Sequence, residues 1–300
     1  MSESRWLHDP HTGREVRLAP CREARPHDDG DSSGECPFCE GNDERTPPEV
    51  DRVGDGAGGW LARTVPNLYP AFDGDDGVCE VVIESPQHVE RFADLPSENA
   101  VVAVRQWASR VAHWSDDPRF DFQCFFKNEG SRAGASLRHV HSQVIALKQA
   151  PAEGAHEWML GDAWRQCSAD RLVLEQGGLA AFCPPAPRLP GATWIAATEQ
   201  GPDFADRFHS PSESELLAEL LGALARSLPG LGIDDYNLML FQPPATLRKQ
   251  KPGLWLIELL PRAVSLAGFE LATGAYINSF SPELAAEKFR EAIAASPSVA

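Results

Sequence analysis

The sequence predicts an α+β protein made of two related halves, on three observations. The first half reads as strand, helix, strand, glycine loop and strand, and the second half repeats that order in weakened form. The chain has 300 residues, of which 42% are hydrophobic and 24% charged. That is enough to bury a full core in one large or two small units, placed at 1–150 and 151–300.

In order, residues 1–35 read as polar and loop-like, with a turn at Asp9-Pro10-His11-Thr12-Gly13. Cys36-Pro37-Phe38-Cys39 follows, a pair spaced for a metal knuckle or a redox couple. Asp51 to Gly59 reads as an acidic, glycine-rich turn, and Trp60 to Val65 as a strand leading into Asn67-Leu68-Tyr69-Pro70. Val78 to Glu84 is a β-branched strand that hands over to Ser85-Pro86-Gln87-His88. A helix from Ser97 to about Trp114 carries Val101, Val104, Ala108 and Val111 on one face, and Phe122 to Phe126 is the next strand.

In the second half, Thr193 to Ala197 matches the strand before His88. Ser210-Pro211-Ser212-Glu213 reads as a capping box opening a leucine-faced helix. Tyr236 to Phe241 is a strand, and Leu254 to Leu259 falls where the first half has its histidines. A last helix begins at Ser281-Pro282.

Composition narrows the function. A net charge of -17 argues against a general nucleic-acid binder, whose affinity depends on neutralising phosphates. Cations for a phosphorylated substrate must then be local: Arg22, Arg25 and Arg63, or Lys127, Arg132 and Arg138. Seven cysteines, an odd number, argue for reduced thiols rather than a disulfide framework. No apolar run approaches the ~20 residues of a membrane span, and the N-terminus lacks a signal-peptide core, so the expectation is a cytoplasmic protein without membrane partners.

The chemistry concentrates in Asn128 to Ala146, NEGSRAGASLRHVHSQVIA. In an extended chain His139, His141 and Gln143 project to one face, after a loop whose glycines let backbone amides approach an anion. A polar strand face at the surface is the alternative reading of the same residues.

CREARP, CPFC, SPQH, KNEG…GASLRHVHSQ and AGFELATG…SPELAAEKFR stand in the order found in the galactose-1-phosphate uridylyltransferase branch of the histidine-triad superfamily, which the chain resembles nearly end to end. The resemblance implies two histidine-triad-like repeats, each an open antiparallel sheet with a packed helix, and a homodimer. It implies a structural zinc on Cys36, Cys39, His88 and His139, and His141 as nucleophile in a ping-pong transfer of a nucleotide between a nucleotide sugar and a sugar 1-phosphate or phosphate. Gln143 stands where superfamily hydrolases carry histidine, which implies transfer rather than hydrolysis. Asn128, Gly134 and Ser136 would contact phosphate oxygens, Arg22, Arg25 and Asn67 the nucleotide or sugar phosphate, and Glu270 the hexose.

Three departures bear on specificity. Leu254 to Glu258 replaces the HWHIE of relatives, Tyr276 stands near a sugar-binding glutamine of the galactose enzymes, and Leu68 replaces an aspartate of the uridylyltransferases. The competing readings are a phosphorylase or hydrolase of the same superfamily, and a nucleotide-binding protein that has lost catalysis.

Overall fold

The computed structural model describes residues 4–24, 36–151 and 167–295. Its twelve strands are β1 Arg5–His8, β2 Glu15–Leu18, β3 Asp51–Gly54, β4 Trp60–Pro66, β5 Gly77–Ile83, β6 Phe122–Glu129, β7 His141–Leu147, β8 Leu172–Gln176, β9 Leu179–Phe182, β10 Thr193–Ala197, β11 Tyr236–Phe241 and β12 Leu256–Pro261. The α-helices are α1 Ser97–Ser115, α2 Phe204–Arg207, α3 Pro211–Ser227, α4 Ala245–Arg248, α5 Gly268–Thr273 and α6 Pro282–Ala295.

Ten strands form one antiparallel sheet in the order β3-β4-β5-β7-β6-β11-β12-β10-β9-β8. The half-sheets join edge to edge where β6 pairs with β11. From that seam the order runs the same way in both directions, with β7 matched by β12 and β5 by β10. No helix among the described residues is long and apolar enough to cross a membrane.

Strand alternation sorts the side chains into two layers. Val82, Val144 and Phe125 of the first half and Leu238, Ile257 and Leu259 of the second face the helices, where Trp107 of α1 and Leu217, Leu220 and Leu224 of α3 complete the main core. Trp107 stacks on Phe125 with centroids 4.3 Å apart. On the opposite face a smaller cluster of Phe38, Trp60, Val65, Val81 and Ile83 supports the site.

Three local expectations need correction. Residues 5–18 form a hairpin rather than loop, and Asp51–Gly54 is an edge strand paired with β4 rather than a turn. The capping box at Ser210 is not made: Ser210 Oγ meets Ser212 Oγ at 3.0 Å, and Glu213 accepts from Arg207 instead. Ser281 does cap its helix, with Oγ accepting from the N–H of Leu284.

Candidate active site and metal centre

The metal-type ligands gather from three separate segments. Cys36 and Cys39 come from the knuckle, His88 from the loop after β5 and His139 from the residue pair before β7. Cys36 Sγ lies 3.5 Å from His139 Nδ1, Cys39 Sγ 3.6 Å from His88 Nδ1, and Cys39 Sγ 3.7 Å from His139 Nδ1. Bonds of about 2.3 Å to sulfur and about 2.0 Å to nitrogen at a tetrahedral angle put such atoms about 3.5 Å apart, so these four residues could hold a zinc-like ion. His139 Nε2 donates to the Ser85 carbonyl at 2.9 Å, which leaves the Nδ1 lone pair aimed at the thiols. Burial lowers the His139 imidazole to about 4, a neutral ring suited to ligation. Burial likewise pushes the Cys36 thiol up to about 11, so ligation must displace its proton.

Phe38 connects this cluster to the next one. Its ring meets the edges of both His139 and His141, with centroids 5.9 and 5.3 Å away. The knuckle therefore packs directly on the strand start that carries His141.

His141 is buried and Nδ1 donates to the His139 carbonyl at 2.7 Å. A carbonyl only accepts, so the proton sits on Nδ1 and the lone pair on Nε2. Gln143 is oriented by the same logic. The Tyr69 N–H donates to Asn67 Oδ1 at 2.9 Å, which turns the Asn67 amide nitrogen to Gln143 Oε1 at 3.3 Å. Gln143 Nε2 is thereby the donor end.

Asn67, Ser136, His141 and Gln143 line a cleft of about 230 Å³ with Phe38, Arg45, Pro47, Leu68 and Tyr69. Arg22 stands behind its rim, with Nη1 3.4 Å from the Tyr69 carbonyl.

Gly130 and Gly134 bound the loop before His139. Gly130 has φ 86°, and a Cβ there would collide with the Asp235 carboxylate. Gly134 sits in the left-handed region at φ 83°. Asn128 lies on the same sheet face as Gln143 and is bonded to Asn237 of β11.

Other expected residues lie elsewhere or serve other purposes. Arg25 lies outside the described residues. Glu270 accepts the Ala267 N–H at 3.0 Å, capping its own exposed helix, and is not among the cleft's lining residues. Lys127 is no phosphate-binding cation: it is 1% exposed, paired with Glu84 at 2.7 Å, and donates to the His141 carbonyl at 3.0 Å. Arg63 is equally committed, buried against Asp43 and Thr46 of the knuckle loop. Residues that the sequence did not flag are Arg45 on the cleft wall and the Asp235, Asn237 and Arg262 group around the glycine loop. All four are ordinary polar residues outside any motif.

At the second-half counterpart of the histidine strand, Leu256 and Ile257 are buried, and Glu258 accepts from Trp194 Nε1 at 3.1 Å and from Arg188.

Residues 65–151 match the family model described as galactose-1-phosphate uridyl transferase, N-terminal domain. ADP-glucose phosphorylase of Arabidopsis thaliana is 28% identical, covering 94% of this chain and 91% of that protein. Galactose-1-phosphate uridylyltransferase of Thermotoga maritima is 26% identical, covering 97% and 98%. The chain is similar to both proteins over nearly its whole length. The crystal structure of the Arabidopsis thaliana ADP-glucose phosphorylase with bound ADP-glucose superposes with a TM-score of 0.77 at 27% identity, covering 96% of this chain and 99% of that one. The likeness to these proteins extends over both halves, including the one without the HVHSQ motif.

Proposed function

We propose that the chain is a zinc-containing enzyme that moves a nucleoside monophosphate from a nucleotide sugar to phosphate, or to a sugar 1-phosphate, through a nucleotidyl-His141 intermediate. The observation that carries this is the 2.7 Å bond from His141 Nδ1 to the His139 carbonyl, which puts the ring's lone pair on Nε2 beside Gln143. Nε2 attacks the α-phosphorus, and the bond to the sugar 1-phosphate oxygen breaks with its electron pair leaving on that oxygen. The acceptor's phosphate oxygen then attacks the same phosphorus, and the N–P electron pair returns to Nε2.

Asn128, Gly134 and Ser136 are read as phosphate contacts, Gln143 as an amide donor that brings no proton, and Arg22, Arg25 and Asn67 as nucleotide contacts. Glu270 is retained as a hexose contact only if a partner subunit brings α5 to the cleft of its neighbour. The exposed Phe269, Leu271 and Ile277 around it support a homodimer. Zinc would be held by Cys36, Cys39, His88 and His139 in a closed shell, fixing the knuckle and with it Phe38 against His141. Residues 1–150 are the catalytic unit in this reading and 151–300 a degenerate one.

Phosphate as acceptor and adenine as base are favoured. The end-to-end likeness to ADP-glucose phosphorylase supports the first, and the apolar Leu68 beside Phe38, Pro47 and Val65 in the cleft supports the second. The test incubates zinc-replete protein with ADP-glucose or UDP-glucose labelled at the α-phosphate. An acid-labile, base-stable adduct is expected that His141→Ala eliminates, and that phosphate discharges as the nucleoside diphosphate. Absence of an adduct from every donor defeats the proposal, and faster discharge by galactose 1-phosphate than by phosphate would favour the uridylyltransferase alternative.

A further inference from the structure

The half of the chain without the HVHSQ motif reaches into the glycine loop of the other half. Asn237 of β11 lies directly opposite Asn128 of β6. Phe126, two residues before Asn128, lies opposite Gln143 of β7. Alternation therefore puts Asn237, Asn128, Gln143 and His141 on one face of the sheet. Asn237 is 8% exposed. Its Nδ2 lies 2.8 Å from Asn128 Oδ1 and 2.8 Å from the Ala133 carbonyl, and its Oδ1 lies 2.9 Å from Arg262 Nη1.

A guanidinium only donates and a peptide carbonyl only accepts. Arg262 and Ala133 thus independently demand the same orientation of the Asn237 amide. With one N–H on Ala133, the other meets Asn128, which must receive it on Oδ1. What Asn128 has left to offer is its NH₂ group. Asp235 fixes the other end of the loop, accepting the Arg132 N–H at 2.8 Å, while its own carbonyl accepts the Arg262 N–H at 2.7 Å.

We propose that Arg262 and Asn237 are positioning residues for the phosphate loop: the guanidinium, through the Asn237 carboxamide, turns Asn128 to present N–H donors on the His141 face. The substrate side of this proposal rests on the nucleotidyl-transfer reading; the amide orientation does not. A reversed Asn128 would offer a carbonyl oxygen to a phosphoryl oxygen, replacing attraction by repulsion. Through these residues the second half completes the first half's site.

Two measurements test the proposal. The first needs no substrate: a neutron structure locates the amide protons, and Asn128 Nδ2 facing Asn237 would overturn it. The second is the single-turnover rate of adduct formation from ADP-glucose with zinc-replete protein. Asn237→Ala and Arg262→Met are each expected to slow it roughly 10- to 100-fold, the scale of losing one oriented donor. Arg262→Lys, which also can only donate, restores most of the rate. In an Asn128→Ala background Asn237→Ala has little further effect, because both act through one amide; equal slowing in both backgrounds would overturn the brace. Melting temperature and zinc content separate misfolding from misorientation. Should wild-type protein form no adduct, the functional reading fails and the neutron map alone decides the brace.

Discussion

His141 and Gln143 differ in what each can give to a phosphoryl group, and main-chain atoms decide it for both. The His139 carbonyl holds the proton of His141 on Nδ1, and the Tyr69 N–H acts through Asn67 to make Gln143 an N–H donor. An amide can hold a phosphoryl oxygen without delivering a proton to a leaving group or taking one from water. Gln143→His supplies such a group two residues from the proposed nucleophile. The ratio of hydrolysis to transfer, measured with phosphate and water competing for the adduct, is expected to rise by roughly tenfold or more. Buried thiols give a further residue-scale prediction. Burial pushes the Cys183 thiol up to about 12, whereas Cys21 is exposed. A thiol at that value is almost wholly protonated at pH 8 and slow to alkylate. Peptide mapping after iodoacetamide at pH 8 should find Cys21 labelled and Cys183 protected, with Cys36 and Cys39 labelled only after chelation.

At the scale of elements, the knuckle and the seam between strands matter most. Cys36→Ser removes one of the four proposed zinc ligands and is expected to loosen the Phe38 contact with His141. Metal content is expected to fall from about one ion per chain, and the melting midpoint by roughly 5–10 °C. At the seam, β6 follows β7 only to the Phe126–Gln143 pair and then turns to β11. The His141 carbonyl receives the Lys127 ammonium there, and Glu84 balances that charge while also accepting the Trp107 indole N–H. Lys127→Met leaves Glu84 buried without its counter-charge, at a cost of about 3–5 kcal/mol by denaturant unfolding. The short strands β1, β2 and β3 were not legible in sequence, since four residues are too few for an alternation such as Val16 and Leu18 to stand out and no residue of the three strands is fully buried. The long buried strands β5, β7, β11 and β12 were legible because burial demanded continuous β-branched or leucine runs.

For the whole molecule, the seam makes the halves interdependent. Residues 1–151 alone would expose the β6 edge and lose Asp235, Asn237 and Arg262 from the loop. Light scattering of that fragment is expected to show aggregation, and co-expression with 152–300 to restore a soluble complex. The sequence by itself determined the repeated α+β plan and the glycine loop, and the family resemblance carried by its motifs implied the grouping of Cys36, Cys39, His88 and His139 beside His141. Those depend on residue type, local periodicity and ordered motifs, which are written along the chain. Only the tertiary structure decided which way each amide turns, that Lys127 and Arg63 are consumed by buried partners, and that Asn237 and Arg262 stand behind Asn128. Orientation and charge balance depend on partners that only the fold brings near: the first-half sheet and knuckle bring Glu84 to Lys127 and Asp43 to Arg63, and the pairing of β6 with β11 brings Asn237 to Asn128.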